Sequence, residues 1–193
     1  MGEESLHLGR IGVISDTHGV LPPEVAALFA GVEHIIHAGD VGGDAILHAL
    51  REIAPLTAVQ GNNDDASGYD VAGVTVAGMR ILVTHILPRP HAPGRHVQEA
   101  LARQPADVVV FGHSHLPHDE IVDGVRYFNP ASAGPRRFDY PRAVGILEAG
   151  RAYHVALDDR SVDALKQRMN QLSRERPAAP AAPRRRSSPA RRS

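Results

Sequence analysis

Short apolar runs rich in β-branched residues recur along the chain, and each stops abruptly at a polar residue. The runs at 10–15 (RIGVIS), 34–38 (HIIHA) and 56–60 (LTAVQ) read as buried strands. Helical patterns separate them. Pro22-Pro23 ahead of EVAALFA places proline in a first helical turn. Residues 44–53 (DAILHALREI) carry apolar side chains at helical spacing, with Asp44 expected as the N-cap.

Beyond residue 70 the pattern changes. The apolar stretches 74–76 and 79–84 flank Ala77-Gly78 and predict a β-hairpin. A helix over 94–103 and a strand over 107–111 (DVVVF) follow. Two more hairpins are expected, 120–122 with 125–128 around Asp123-Gly124, and 144–148 with 152–157 around Ala149-Gly150. A helix over about 161–172 closes the series. The first half, βαβαβ, implies parallel strands covered by helices, and the hairpins imply antiparallel ones. The expected fold class is α/β, a two-sheet mixed β-sandwich flanked by helices. The expected boundaries are a folded domain at 8–172 and a disordered tail rich in Arg, Pro and Ala at 173–193.

Composition narrows the picture. Hydrophobic residues make up 42% of the 193, enough for a sizeable core, but aromatics are only 4% and tryptophan is absent, so Val, Ile, Leu and Ala must fill it. The absence of cysteine excludes disulfides and thiolate metal sites, and it fits a reducing compartment. No apolar run approaches the roughly 18 residues of a membrane helix. The start of the chain lacks the form of a signal peptide, so a cytoplasmic protein without membrane contact is expected. The net charge of −1 hides an asymmetry: from Ser173 onward there are seven arginines and one glutamate, a net +6, so the body is acidic.

The polar residues that end the apolar runs share one chemistry. They are Asp16-Thr17-His18, Gly39-Asp40, Gly61-Asn62-Asn63-Asp64, His85 and Gly112-His113-Ser114-His115. Ligand sites of open α/β sheets form outside the carboxyl ends of strands. Carboxylate and amide oxygens with imidazole nitrogens suit Mn, Fe, Co, Ni or Zn. Two such ions about 3.5–4 Å apart clamp a phosphate and share an activated hydroxide.

In this order the fragments resemble the calcineurin-like metallophosphoesterase superfamily, and most closely its small bacterial and archaeal phosphodiesterase branch. Asn129-Pro130-Ala131-Ser132 followed by Pro135-Arg136 is similar to an Asn-Pro-Gly-Ser…Pro-Arg segment of that branch. The resemblance covers roughly residues 10–160. It implies a four-layer αββα fold and a binuclear metal-dependent phosphodiesterase. Asp16, His18 and His115 would hold one ion, and Asn62, His85 and His113 the other. Asp40 would bridge them beside a hydroxide that attacks phosphorus in line. Asp40, Asn62 and His113 are expected to bear most directly on catalysis. The ions are expected to be manganese, with nickel, iron, cobalt or zinc as alternatives. A small phosphodiester or nucleotide is the expected substrate, and homodimers or homotetramers are expected from the relatives. Alternatives are a phosphomonoesterase of the same fold, a non-catalytic scaffold, and a protein led to nucleic acid by its tail.

Two departures stand out. Many superfamily members have a proton-donating histidine where this chain has Asn63, although the small branch often lacks it. Relatives commonly read His-Gly-His at the next ligand, and this chain reads His85-Ile86-Leu87-Pro88-Arg89-Pro90-His91. Other polar residues have plainer readings. His7, His34, His48, His96, His118 and His154 are expected at the surface or core edge. His37 is read as structural or as outer support for a ligand loop, and Asp64 as a turn residue or such a support. Arg136 and Arg137 are candidates for touching a substrate phosphate. The tail, without aromatics for stacking, implies at most weak, salt-sensitive contact with nucleic acid.

Overall fold

The computed structural model describes residues 9–137 and 140–158. Their elements, in chain order, are β1 (Arg10–Ile14), α1 (Glu24–Leu28), β2 (His34–Ala38), α2 (Asp44–Arg51), β3 (Leu56–Val59), β4 (Val71–Val76), β5 (Met79–Thr84), α3 (Arg95–Arg103), β6 (Val108–Val110), β7 (Pro117–Val122), β8 (Val125–Pro130), β9 (Ala143–Glu148) and β10 (Arg151–Ala156). The strands form two five-stranded sheets, ordered β10-β9-β1-β2-β3 and β4-β5-β6-β8-β7. In the first, β1, β2 and β3 run parallel and β9 and β10 are added antiparallel. In the second, β5, β6 and β8 are parallel, with β4 and β7 antiparallel at the edges.

Strand side chains alternate between two faces, and this periodicity builds four layers. Ile11 and Val13 of β1, with Ile36 and Ala38 of β2, meet Met79, Ile81, Val83, Val108, Val110 and Phe128 from the other sheet. The alternate residues Ile14 and Ile35 face outward, where Val25, Phe29, Ile46 and Leu50 from α1, α2 and their flanks cover them. Leu82, Val109 and Tyr127 face the other way, against Val97 of α3. The expected αββα sandwich is therefore present, with aliphatic residues filling the core between the sheets.

The three hairpin turns lie where the sequence predicts. Ala77-Gly78, Asp123-Gly124 and Ala149-Gly150 all have positive φ at both positions, the type I′ geometry that matches strand twist. Boundaries differ in places. β4 begins at Val71, because Val71, Ala72 and Gly73 extend the ladder to Thr84, Val83 and Leu82. Helix α1 spans only five residues. Asp44 does not cap α2: the N-cap is Gly43, at φ 133°, and Asp44 is the first helical residue. Its carboxylate there complements the positive end of the helix dipole without a capping bond. The helix expected at about 161–172 and the tail lie outside the described residues. No helix among the described residues is long and apolar enough to cross a membrane.

Candidate metal centre

The loops leaving β1, β2, β3, β5 and β6 are knitted together by backbone hydrogen bonds. The Asp16 amide donates to the Gly39 carbonyl (2.9 Å), the His18 amide to the Asp40 carbonyl (2.9 Å), and the Gly112 amide to the His85 carbonyl (3.1 Å). The first two join loops of one sheet and the third joins loops of the other, while the Ala133 amide, beyond β8, donates to the Ser15 carbonyl, beyond β1 (3.0 Å), and links the two. Asp16, His18, Asp40, His113 and His115 all adopt left-handed backbone conformations, with φ between 47° and 67°. Non-glycine residues in that region are uncommon and cost about 1–3 kcal/mol each. Five such residues at one edge mark a backbone forced into tight turns so that its side chains converge.

One group gathers around Asp16. His115 Nε2 lies 3.2 Å from Asp16 Oδ1 and 3.3 Å from His18 Nε2. The Asp16 carboxylate is fully buried; its Oδ2 accepts from Ser15 Oγ (2.6 Å) and the His113 amide (3.2 Å). Asp16 Oδ1 has no hydrogen-bond partner among the described residues, and its 3.2 Å contact with His115 lacks hydrogen-bond alignment. A second group contains Asp16, Asp40 and His85. His85 Nδ1 meets the Ala38 carbonyl (2.7 Å), which orients the ring so that Nε2 faces Asn62 Oδ1 (3.1 Å) and Asp40 Oδ1 (3.3 Å). Asp40 Oδ2 also lies 3.7 Å from His18 Nε2.

Asp16, His18 and His115 thus come together as the sequence suggests, and Asp40 stands between them and His85. Asn62 joins through His85. His113 is exposed, its ring 5.3 Å from that of His85, outside both tight groups. Two buried carboxylates, an amide oxygen and imidazole nitrogens crowded within hydrogen-bond distance, one buried acceptor unpaired, form a donor set that fits a divalent cation.

Charge follows geometry. Burial alone would push the Asp40 carboxyl up, but hydrogen bonds from His85 and from the Asn63 amide and side chain outweigh it and hold it well below the carboxylate range. His85 would be lowered by burial, yet its contact with Asp40, the nearby Asp16 and the Ala38 carbonyl raise it. Burial lowers His18 and His113, so both are ready as neutral ligands.

Supporting residues fix the turns. Asn63 donates from its backbone to Asp40 Oδ1 (2.8 Å) and from its side chain to Asp40 Oδ2 (2.6 Å). Asp64 is an outer support: its carboxylate accepts from the Val41 (2.8 Å), Gly42 (2.9 Å) and Gly61 (2.9 Å) amides. His37, fully buried, accepts from the Gly39 amide at Nδ1 (3.2 Å). Thr17 Oγ1 donates to the Val41 carbonyl (2.9 Å), so His37 Nε2 is the donor in its 2.9 Å bond to Thr17. Gly39 and Gly61 allow the close approach: a Cβ on Gly39 would sit 2.7 Å from His85 Nδ1, and one on Gly61 would collide with Asp40.

The Asn129 segment braces the far side, with its side-chain amide donating to the Gly112 carbonyl (2.8 Å). His91, in the unusual loop after His85, turns away from the centre to Glu120 (3.0 Å). Arg136 pairs with Asp158 (2.8 Å). Ser15 was invisible as a supporting residue, since a serine before an aspartate carries no signal of its own.

A two-sheet sandwich with carboxylate, amide and imidazole ligands gathered at its strand ends defines a metal-binding class of α/β protein. Residues 10–151 match the calcineurin-like phosphoesterase superfamily domain, and the chain belongs to that family of metal-dependent phosphoric ester hydrolases. It is similar to a probable metallophosphoesterase of Methanothermobacter thermautotrophicus, 32% identical over 139 residues, covering 68% of this chain and 81% of the relative. It is also similar to the phosphodiesterase YfcE of Escherichia coli K12, 30% identical over 173 residues, covering 78% and 93%. Among solved structures, an archaeal phosphodiesterase superposes with a TM-score of 0.62 at 26% identity, covering 77% of this chain and 99% of that one.

Proposed function

We propose that the protein is a binuclear metal-dependent phosphodiesterase acting on a small phosphodiester or nucleotide. The observation that carries this reading is the convergence of ligand-type side chains from five strand ends around the buried, unpaired Asp16 Oδ1, 3.2 Å from His115 Nε2. Asp16, His18 and His115 would hold one ion and Asn62, His85 and His113 the other, with Asp40 between them. Such ions, manganese being our first choice, would when bound neutralise phosphoryl oxygens and lower the pKa of water toward about 7, the chemistry that in-line attack on phosphorus would need.

The chain's own residues do the rest. Ala38 fixes the His85 ring, and Asn63 holds both Asp40 oxygens in place. An amide releases no proton near neutral pH, so Asn63 offers the leaving alkoxide no acid. Phosphodiesterase relatives at 30% and 27% identity favour diesters over monoesters. We place the enzyme in the cytoplasm, in keeping with its lack of cysteine.

The test is metal analysis of the purified chain with a bis-nitrophenyl phosphate assay in added Mn or Ni, beside Asp40→Ala. Close to two ions per chain and turnover abolished by the substitution are expected. No bound metal and no turnover would instead favour a scaffold.

A further inference from the structure

The unusual loop after His85 holds a histidine that takes no part in the metal centre. Pro88, Pro90 and Pro93 fix φ at three positions of this loop and stiffen it. The Ala92 amide closes a turn onto the Arg89 carbonyl (3.0 Å). From this turn His91 reaches the edge strand β7, where its Nε2 lies 3.0 Å from Glu120 Oε1. A second imidazole meets the same carboxylate: His118 Nε2 is 3.2 Å from Glu120 Oε2. His118 and Glu120 are two positions apart on β7, so both side chains stand on one face of the strand. The His118 ring rests beside Phe111, with ring centroids 5.7 Å apart. Asp119, between them on the opposite face, is engaged by Arg126 (2.7 and 2.9 Å).

Two imidazoles and one carboxylate are a donor set that zinc uses, with water completing four-coordination. Neighbouring ligands of a tetrahedral zinc, each about 2.0–2.2 Å from the ion, stand roughly 3.3–3.5 Å apart. The nitrogen–oxygen separations of 3.0 and 3.2 Å lie close to that spacing. The two nitrogens approach different oxygens of Glu120. His91, with its side chain 71% exposed, can turn its ring to share one ion with His118. The strand supplies the fixed pair and the loop supplies the third ligand.

We propose that His91, His118 and Glu120 form a peripheral zinc site, separate from the metal centre. An ion there fastens the loop that follows His85 to the strand that follows His115. The site stands independently of the phosphodiesterase reading above.

The test is a zinc titration of the full chain in competition with a chromogenic chelator, for the wild type, His91→Ala, Glu120→Gln and His48→Ala. His48 is an exposed histidine on α2 and serves as the control. The wild type is expected to take up one equivalent more than His91→Ala or Glu120→Gln, and His48→Ala to match the wild type. His91→Cys adds the only thiol to a chain without cysteine. With cobalt(II) replacing zinc, this variant is expected to show thiolate-to-cobalt charge-transfer absorption, which adding Glu120→Gln removes. Equal zinc uptake by the wild type, His91→Ala and Glu120→Gln overturns the proposal, because the imidazoles then only hydrogen-bond Glu120. Loss of an equivalent in His48→Ala as well overturns it, since scattered surface imidazoles then hold the ion. Loss of every equivalent in His91→Ala also overturns it, because the residue then acts on the metal centre.

Discussion

Replacing Asp64 with alanine removes one carboxylate and strands three backbone amides. Those of Val41 and Gly61 are partly buried, and that of Gly42 faces solvent, where water takes over its bond. Hydrogen bonds to a charged acceptor contribute roughly 1.5–3 kcal/mol each. Counting the two partly buried bonds at the low end, because Asp64 is itself half-exposed, gives a loss of about 3 kcal/mol. In a domain of this size each kcal/mol shifts the melting temperature by roughly 2–4 °C, so a fall of about 6–12 °C is expected. The Val41 and Gly42 bonds join the turn carrying Asp40 to the turn carrying Asn62, and the Gly61 bond closes the latter turn. Freeing the turns should weaken metal binding as well, by roughly 10- to 100-fold as for other outer supports of ligands. Thermal unfolding of metal-stripped protein isolates the hydrogen-bond loss, and a metal titration measures the rest. Asp64→Asn should recover little, since its NH2 group would face amides that need an acceptor. Stripped Asp64→Ala that melts within about 1 °C of the wild type and binds metal unchanged would refute the reasoning.

Three further outcomes are expected. With no acid at Asn63, rates should fall steeply as the leaving group becomes more basic, and a flat dependence on leaving-group pKa with chemistry rate-limiting contradicts this. His37 is pushed down to about 4 from 6.5 by burial, against the opposing pull of Asp16 and Asp64. The unfolded chain therefore takes up a proton that the folded chain refuses between those values, so stability falls as pH drops through this window, by about 3 kcal/mol in full. Urea unfolding at pH 7 and 4.5 should show most of that loss, and His37→Gln should show less of it; equal acid sensitivity in both counts against His37. Truncation after Leu172 should leave turnover intact, and any nucleic-acid affinity lost with the tail should decline with salt; salt-independent binding argues against phosphate contacts.

Much of the fold is legible locally. The type I′ turns at Ala77-Gly78, Asp123-Gly124 and Ala149-Gly150 need only four consecutive residues to declare themselves, and all three form where expected. Strand ends are equally local, because an apolar run that stops at Asp, Asn or His shows where burial ends. Asp44 misled because its side chain suits an N-cap, while Gly43 reaches a φ of 133° that other residues avoid. The Arg136 and Arg137 pair was ambiguous for a similar reason. Adjacent arginines look alike until Asp158, 22 residues away from Arg136, takes one of them.

The sequence by itself determined which side chains stand at the strand ends, and hence the ligand chemistry and the family. Only the tertiary structure decided how they meet. His18 and His115 are 97 positions apart and come within 3.3 Å because two sheets stack and open at one edge. The left-handed turns at Asp16, His18, Asp40 and His113 suit Asp and His locally, and bonds between separate loops hold them. The same closure leaves Asp16 Oδ1 buried without a hydrogen-bond partner among the described residues, and turns Asn63 and Asp64 into supports. Residue type and spacing are local properties of a chain, whereas distances between loops exist only after the sheets have packed.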